Sequence, residues 1–206
     1  MPKQALILDL DNTIYPVQQI GQDLFCNLFQ LISESGEYQG SFEEVKKEIM
    51  RKPYQRVAAE FNFSEKLSSE GFELLKNITY EKPMTPFEDY VEIKKIALPK
   101  FLVTTGFTTL QRSKIKQLGI EKDFEEIHIV DPALSFLTKK KMFKEILSRH
   151  SYLKSDVLVV GDDPHSEIQA AKQSGIDWVL YDTLRVHPDI DITNKIFHFK
   201  QLAAFL

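Results

Sequence analysis

The chain has 206 residues, 43% hydrophobic and 27% charged, which is enough for one sizeable core and is the composition of a folded globular protein. Its 26 basic residues against 30 acidic give a formal net charge of −4, so nothing favours a nucleic-acid partner. Cys26 is the only cysteine, which excludes an intrachain disulfide framework or a thiolate zinc cluster, and no apolar run is long enough to span a membrane.

The opening "MPKQALILDL" turns acidic where a secretion signal would stay apolar, so the expected location is the cytoplasm. Within it, Ala5 to Leu8 is a short aliphatic run that suits a buried strand. Val17, Ile20, Leu24, Leu28, Leu31 and Ile32 then recur at three- and four-residue intervals and predict one amphipathic helix. Cys26, on that segment, reads as core. Ser41 and Glu44 form a capping-box pattern ahead of Val45 and Ile49, and Pro53 should end or kink that helix. Val57, Ala58 and Phe61 resume the helical spacing, and Leu67 to Leu75 predicts one more helix. Phe25, Phe29, Phe61, Phe63 and Phe72 read as the core of this helical block.

The pattern changes after Pro86. "KFLVTTG" (Lys100–Gly106), "EEIHIVD" (Glu125–Asp131), "VLVVGDD" (Val157–Asp163) and "DWVLYD" (Asp177–Asp182) each read as a strand. Helices are expected between them: one to Leu118 with Gly119 as its stop, one around Met142, Phe143, Ile146 and Leu147, and one from Ser166 to Gly175. A short helix near Leu202 closes the chain. Alternation of this kind predicts an α/β fold, a doubly wound parallel sheet of five strands. The helical stretch 16–84 then reads as an insertion after the first strand, dividing the chain into a core (1–15 and 85–206) and a helical cap.

Functional groups in such sheets gather beyond the carboxyl ends of the strands. Four polar signals fall there: Asp9-x-Asp11-x-Thr13, Thr104-Thr105-Gly106, a lysine within Lys139–Lys141, and Gly161-Asp162-Asp163. Phosphoryl transfer through a covalent intermediate uses these residue types. A carboxylate can serve as nucleophile, an acidic cluster can hold Mg²⁺ through oxygen ligands, and a hydroxyl and a lysine can bind the remaining phosphoryl oxygens. A lone Asp-x-Asp is more often a solvated turn, but four signals in order at four strand ends outweigh that reading.

In this order and spacing, the four signals resemble those of the haloacid dehalogenase-like (HAD) hydrolase superfamily, in particular its phosphatases. The likeness spans nearly the whole core, with "DLDNT" its most specific piece. It implies that Asp9 is the nucleophile and a magnesium ligand. Asp11 would be the general acid and then the general base, with its backbone carbonyl on the metal. Thr104 would bond a phosphoryl oxygen and Lys139 would neutralise charge near Asp9, although Lys140 remains an alternative. Asp162 would complete the metal site, with Asp163 or Glu167 assisting through water. Thr13, Thr105 and Gly106 fall in the phosphate-binding stretches. Asp11 argues against the carbon–halogen branch, which needs no such acid. The chain departs from the pattern at Thr105, where asparagine is common, at the "KKKMF" lysine, which often precedes proline, and at Glu167, which stands where an aspartate is frequent.

An insertion directly after the first motif resembles the helical cap of the small-molecule phosphatases. Within it "RKPYQR" (Arg51–Arg56) is the most basic stretch; Arg51, Lys52 or Arg56 could read an anionic substrate, against the equal alternative of a solvated helix end. "DNTIYP" followed by "VQQIG" also looks like the opening of nucleotidases that act on pyrimidine nucleoside monophosphates. His165 and His128 read as a loop residue and a satisfied strand residue, because magnesium sites do not need imidazole. The expected function is therefore Mg²⁺-dependent hydrolysis of a small phosphorylated metabolite, with a nucleoside monophosphate among the candidates. The alternatives are a phosphomutase acting on a sugar phosphate and a phospho-aspartate switch without turnover. The sequence does not specify an oligomeric state.

Overall fold

The computed structural model describes residues 2–134, 137–190 and 192–206. Its centre is β1 (Ala5–Leu8), four aliphatic residues that are all buried because both faces of the strand are covered. Leu6 and Leu8 pack with Leu102, Leu158 and Val160 on one side. Ala5 and Ile7 pack with Phe101, Val103, Val157 and Val159 on the other. The period-two alternation of a strand thus appears as two separate apolar layers rather than as an apolar/polar pattern.

Five further strands join β1: β2 (Lys100–Thr105), β3 (Glu126–Val130), β4 (Val157–Gly161), β5 (Asp177–Tyr181) and β6 (Lys195–Ile196). Their order is β3-β2-β1-β4-β5-β6 and every pairing is parallel. In register, Ile7 lies between Phe101 of β2 and Val159 of β4. The expected α/β parallel sheet is present with one strand more than predicted. β6 has only two residues, too short to show any periodicity.

Five helices follow β1: α1 (Gln18–Leu24), α2 (Cys26–Ser35), α3 (Phe42–Ile49), α4 (Tyr54–Glu60) and α5 (Glu65–Lys76). α6 (Tyr90–Lys95) leads into β2, α7 (Thr108–Leu118) joins β2 to β3, α8 (Lys139–His150) joins β3 to β4, and α9 (Glu167–Ser174) joins β4 to β5. The capping box forms as expected, with the Ser41 side chain accepting from Glu44 N and the Glu44 carboxylate accepting from Ser41 N.

Two expectations need correction. The single helix predicted over 17–32 is two, because the backbone at Phe25 leaves helical values (φ −99°, ψ 12°); hydrogen bonds still run across the break, so the apolar spacing continues. Cys26 is exposed rather than core, since α2 buries Leu28, Phe29 and Ile32 and Cys26 lies on the other side. α6, with only Tyr90 and Ile93 buried, is too short to have been seen as a repeat, and the closing turn at Phe199–Ala204 is a 3-10 helix.

The apolar cluster on the Leu6 face of the sheet runs without interruption into α1–α5, through residues such as Ile20, Leu28, Val57 and Leu67. The helical block also shares a cleft with the carboxyl ends of the strands, lined by Met50, Tyr54 and Leu75 together with Asp9, Thr104 and Asp162. Among the described residues no helix is long and apolar enough to cross a membrane.

Candidate active site

The loop leaving β1 reverses within a few residues. Asn12 adopts the left-handed conformation (φ 56°), which asparagine tolerates better than most residues, and its Oδ1 accepts from Val17 N at 3.0 Å. That turn leaves Asp9 at the end of the strand and sends Asp11 to a second position in the same cleft. The cleft has about 900 Å³ of empty volume including its open mouth, and is bounded by both the strand ends and the helical block.

Asp9 is buried, and its Oδ1 accepts from Lys139 Nζ at 2.6 Å. The same ammonium donates to Glu167 Oε2 at 2.7 Å. Lys139 is the first residue of α8 and is buried, whereas Lys140 is only half-buried. Glu167 opens α9 and receives Asp163 N on Oε1 at 2.7 Å. It reaches the site only because residue 161 is glycine: a Cβ there would stand 2.3 Å from the Glu167 carboxylate. Thr13 is buried and its hydroxyl donates to Asp162 Oδ1 at 3.3 Å. His187 Nε2 lies 2.9 Å from the Asp162 carbonyl oxygen.

Asp9, Asp162 and Glu167 each offer an oxygen within 4.8 Å of the others. Burial raises the Asp9 carboxyl to about 7; Lys139 opposes the rise, while the charges of Glu167 and Asp11 add to it. Burial likewise pushes Asp162 well above the carboxylate range, reinforced by Glu167, Asp9 and Asp163. Three closely spaced acids are therefore offset by one ammonium, which bonds two of them, Asp9 and Glu167. Such an excess of hard oxygen donors and negative charge fits a divalent cation such as Mg²⁺. The Asp163 carboxylate is turned elsewhere: Oδ1 accepts from His165 N at 2.8 Å and Oδ2 lies 3.9 Å from Arg56 Nη1.

Asp11 is held in a different environment. Its Oδ1 accepts from Lys114 Nζ at 2.8 Å and from the Tyr15 hydroxyl, and its Oδ2 accepts from Gln111 Nε2 at 2.8 Å. Burial alone would raise this carboxyl, but the Lys114 charge and the three hydrogen bonds outweigh it and hold the group below its ordinary value. Asp11 is thus an ionised acceptor, while Asp9 sits near neutrality. Gln111 also donates to Thr104 Oγ1 at 2.6 Å, which ties the second strand end to the first.

Thr105 and Gly106 line the cleft, as do Arg51 and Lys52. Arg51 is paired with Glu48 at 3.2 Å. Arg56 is not a lining residue; it bonds Glu60 at 3.1 Å and stands at the rim facing Asp163. His165 is exposed, and His128 Nε2 lies 2.7 Å from Glu126.

Sequence reasoning missed Tyr15, Gln111, Lys114 and Asp131. Gln111 and Lys114 did carry a signal: they share the buried face of α7 with Leu110, Ile115 and Leu118, where polar side chains need partners. Asp131, at the end of β3, accepts from Thr108 N at 2.6 Å and Ala133 N at 2.8 Å and so fixes the start of α7.

Residues 6–181 match the family described as haloacid dehalogenase-like hydrolase. A glyceraldehyde 3-phosphate phosphatase of Methanopyrus kandleri is 22% identical over 197 residues, covering 84% of this chain and 81% of that protein. Among solved structures, a haloacid dehalogenase-like family protein of Streptococcus pneumoniae superposes with a TM-score of 0.74 at 17% identity, covering 98% of each chain. The HAD-hydrolase YfnB of Bacillus subtilis, in a magnesium-bound form described as revealing interdomain movement, gives 0.67 at 16% identity, covering 100% of this chain and 99% of that one.

Proposed function

The chain belongs to the haloacid dehalogenase-like hydrolase family, and on that premise we propose that it is a Mg²⁺-dependent phosphomonoester hydrolase working through a phosphorylated Asp9. The observation that carries this reading is the pairing of two carboxylates with opposed environments in one cleft. Asp9 is buried beside Lys139 and two further acids, and Asp11 is held apart by Lys114, Tyr15 and Gln111.

In this reading an Asp9 oxygen forms a bond to phosphorus as the bond from phosphorus to the alcohol oxygen breaks, and Asp11 delivers a proton to that oxygen. Water then attacks the phosphorus, Asp11 takes its proton, and the Asp9–phosphorus bond breaks to release phosphate. Asp11 must carry a proton before the first half, which the Lys114 pair opposes. Loosening of that pair when substrate enters is therefore part of the proposal. Lys139 balances charge on the phosphoryl oxygens, and Thr104, with Thr13, Thr105 and Gly106 nearby, completes their surroundings. Asp9, Asp162 and Glu167, with the Asp11 backbone carbonyl, would hold Mg²⁺, which supplies Lewis-acid neutralisation of phosphoryl charge when bound.

The helical block 16–84 acts here as a cap that excludes water and contacts the leaving group. It meets the core motifs through Asn12 Nδ2, which donates to the Met50 carbonyl at 3.3 Å, and through Arg56 facing Asp163. The interdomain movement described for the Bacillus subtilis structure is the kind of motion that would open this cleft. The substrate is a small phosphorylated metabolite; the named activity of the Methanopyrus kandleri relative supports a phosphate ester.

The test is phosphate release from nucleoside monophosphates, sugar phosphates and small phosphoacids, with Mg²⁺ and with chelator, beside Asp9→Asn. Magnesium-dependent release that disappears in the variant is the expected result. Normal turnover by Asp9→Asn would refute the mechanism, and an isomeric ester in place of free phosphate would show a mutase.

A further inference from the structure

The floor and walls of the cleft differ in chemistry. The floor carries the carboxylates, Thr104 and Lys139, whereas the walls above it include Val17, Phe25, Met50, Leu75, Phe107 and Leu110. Met50 is seated against the bare backbone of Gly21, where a Cβ would come within 2.7 Å of its sulfur, so the thioether is held in place by the helix beside it.

Several polar groups among these walls are already engaged, whereas the side chains of Gln55, Thr105 and Ser166 carry no hydrogen bond to the described residues. Tyr54 donates its hydroxyl to the Leu67 carbonyl at 2.8 Å, Asn12 spans Val17 N and the Met50 carbonyl, and Gln111 is bonded to Asp11 and Thr104. The lining cations other than Lys139 are matched too: Arg51 by Glu48, Lys52 by Glu48 at 2.9 Å and Glu60 at 2.6 Å, and Lys114 by Asp11. A leaving group with several hydroxyls would find few open partners along the apolar part of this wall. An apolar body would gain from every carbon it buries.

We infer that the preferred substrate is a phosphomonoester whose alcohol presents an apolar, ring-sized body to the wall formed by Phe25, Met50, Phe107 and Leu110. This rests on the phosphomonoesterase reading above and specifies the substrate class for the same cleft.

Three primary alkyl phosphates of similar intrinsic chemistry separate the possibilities: benzyl phosphate, glycerol 3-phosphate and 2-phosphoglycolate. 4-Nitrophenyl phosphate serves as a control for turnover itself. Benzyl phosphate should show a kcat/KM at least about tenfold above both others, a ratio that burial of one ring can supply. Met50→Gln, nearly isosteric and able to lie against Gly21, should reduce the benzyl-to-glycerol ratio about threefold or more. A kcat/KM for glycerol 3-phosphate or 2-phosphoglycolate equal to or above that for benzyl phosphate would overturn the inference while the hydrolase reading stood. So would a benzyl preference that Met50→Gln leaves untouched. Failure to release phosphate from any ester, the nitrophenyl control included, would overturn the hydrolase reading and this inference with it.

Discussion

Asp9→Asn should make the metal-free protein more stable above neutral pH even as it removes the proposed nucleophile. In the folded chain the Asp9 carboxyl is raised by burial to about 7, against an ordinary value of 3.8 that the unfolded chain should retain. A folded-state value above the unfolded one means that folding favours the protonated form. That stabilisation is complete below about 4 and is lost as the pH rises through about 7. The gap between 3.8 and about 7, at about 1.4 kcal/mol for each tenfold step in proton affinity, comes to about 4 kcal/mol. Asparagine stands in for the neutral acid at every pH, and Lys139 keeps Glu167 at 2.7 Å as its partner. Urea unfolding with chelator, from pH 4 to pH 9, should therefore show the two proteins nearly equal at the acid end. The Asp9→Asn variant should lead by about 2–4 kcal/mol above pH 8. A pH-independent difference, or a variant less stable than the parent at pH 8, would refute the idea that unrelieved negative charge is stored at this position.

Lys139→Met removes the one ammonium shared by Asp9 and Glu167 and should cost about 3–5 kcal/mol by thermal or urea unfolding at neutral pH, together with loss of turnover. Gly161→Ala places a methyl group 2.3 Å from the Glu167 carboxylate, so calorimetric titration should find Mg²⁺ bound at least about tenfold more weakly; unchanged affinity would exclude Glu167 from the metal set. Lys114→Met frees Asp11 from its cationic partner, and the ratio of alkyl to aryl phosphate turnover should change because only the alkyl ester depends strongly on protonation of its leaving oxygen. A parallel fall on both esters would reduce Lys114 to a structural role.

Most of the floor of the site was legible in the sequence because each piece follows a strand, and a buried parallel strand announces itself as an aliphatic run that stops at a polar residue. Asp9, Thr104 and Asp162 could be located that way, and Lys139 by counting from the end of β3. What lay beyond reach was the partnership of side chains. Gln111 and Lys114 converge on Asp11 from a helix whose start is fixed by Asp131, three residues brought together only by the sheet. The Arg51–Arg56 stretch reads in sequence as either substrate contact or a solvated helix end; Arg51 and Lys52 line the cleft, while carboxylates at Glu48 and Glu60 pair with Arg51, Lys52 and Arg56. Charge pairing at a helix end depends on rotamers and neighbouring turns, which residue spacing alone does not reveal.

The central position of β1 also bears on how the chain is made. Ala5–Leu8 leaves the ribosome before the rest of the sheet, and its partner Val157–Gly161 follows about 150 residues later. At ordinary rates of synthesis that interval is on the order of 10–30 s. During it an aliphatic, hydrogen-bond-hungry segment has no sheet to enter, apart from a late pairing with β2. The nascent chain is thus exposed to aggregation at this segment, and the sheet closes late through contacts of high sequence separation. Chaperone engagement during translation should concentrate on this segment, and Asp9 at its end would reach its position in the cleft only once β4 is in place.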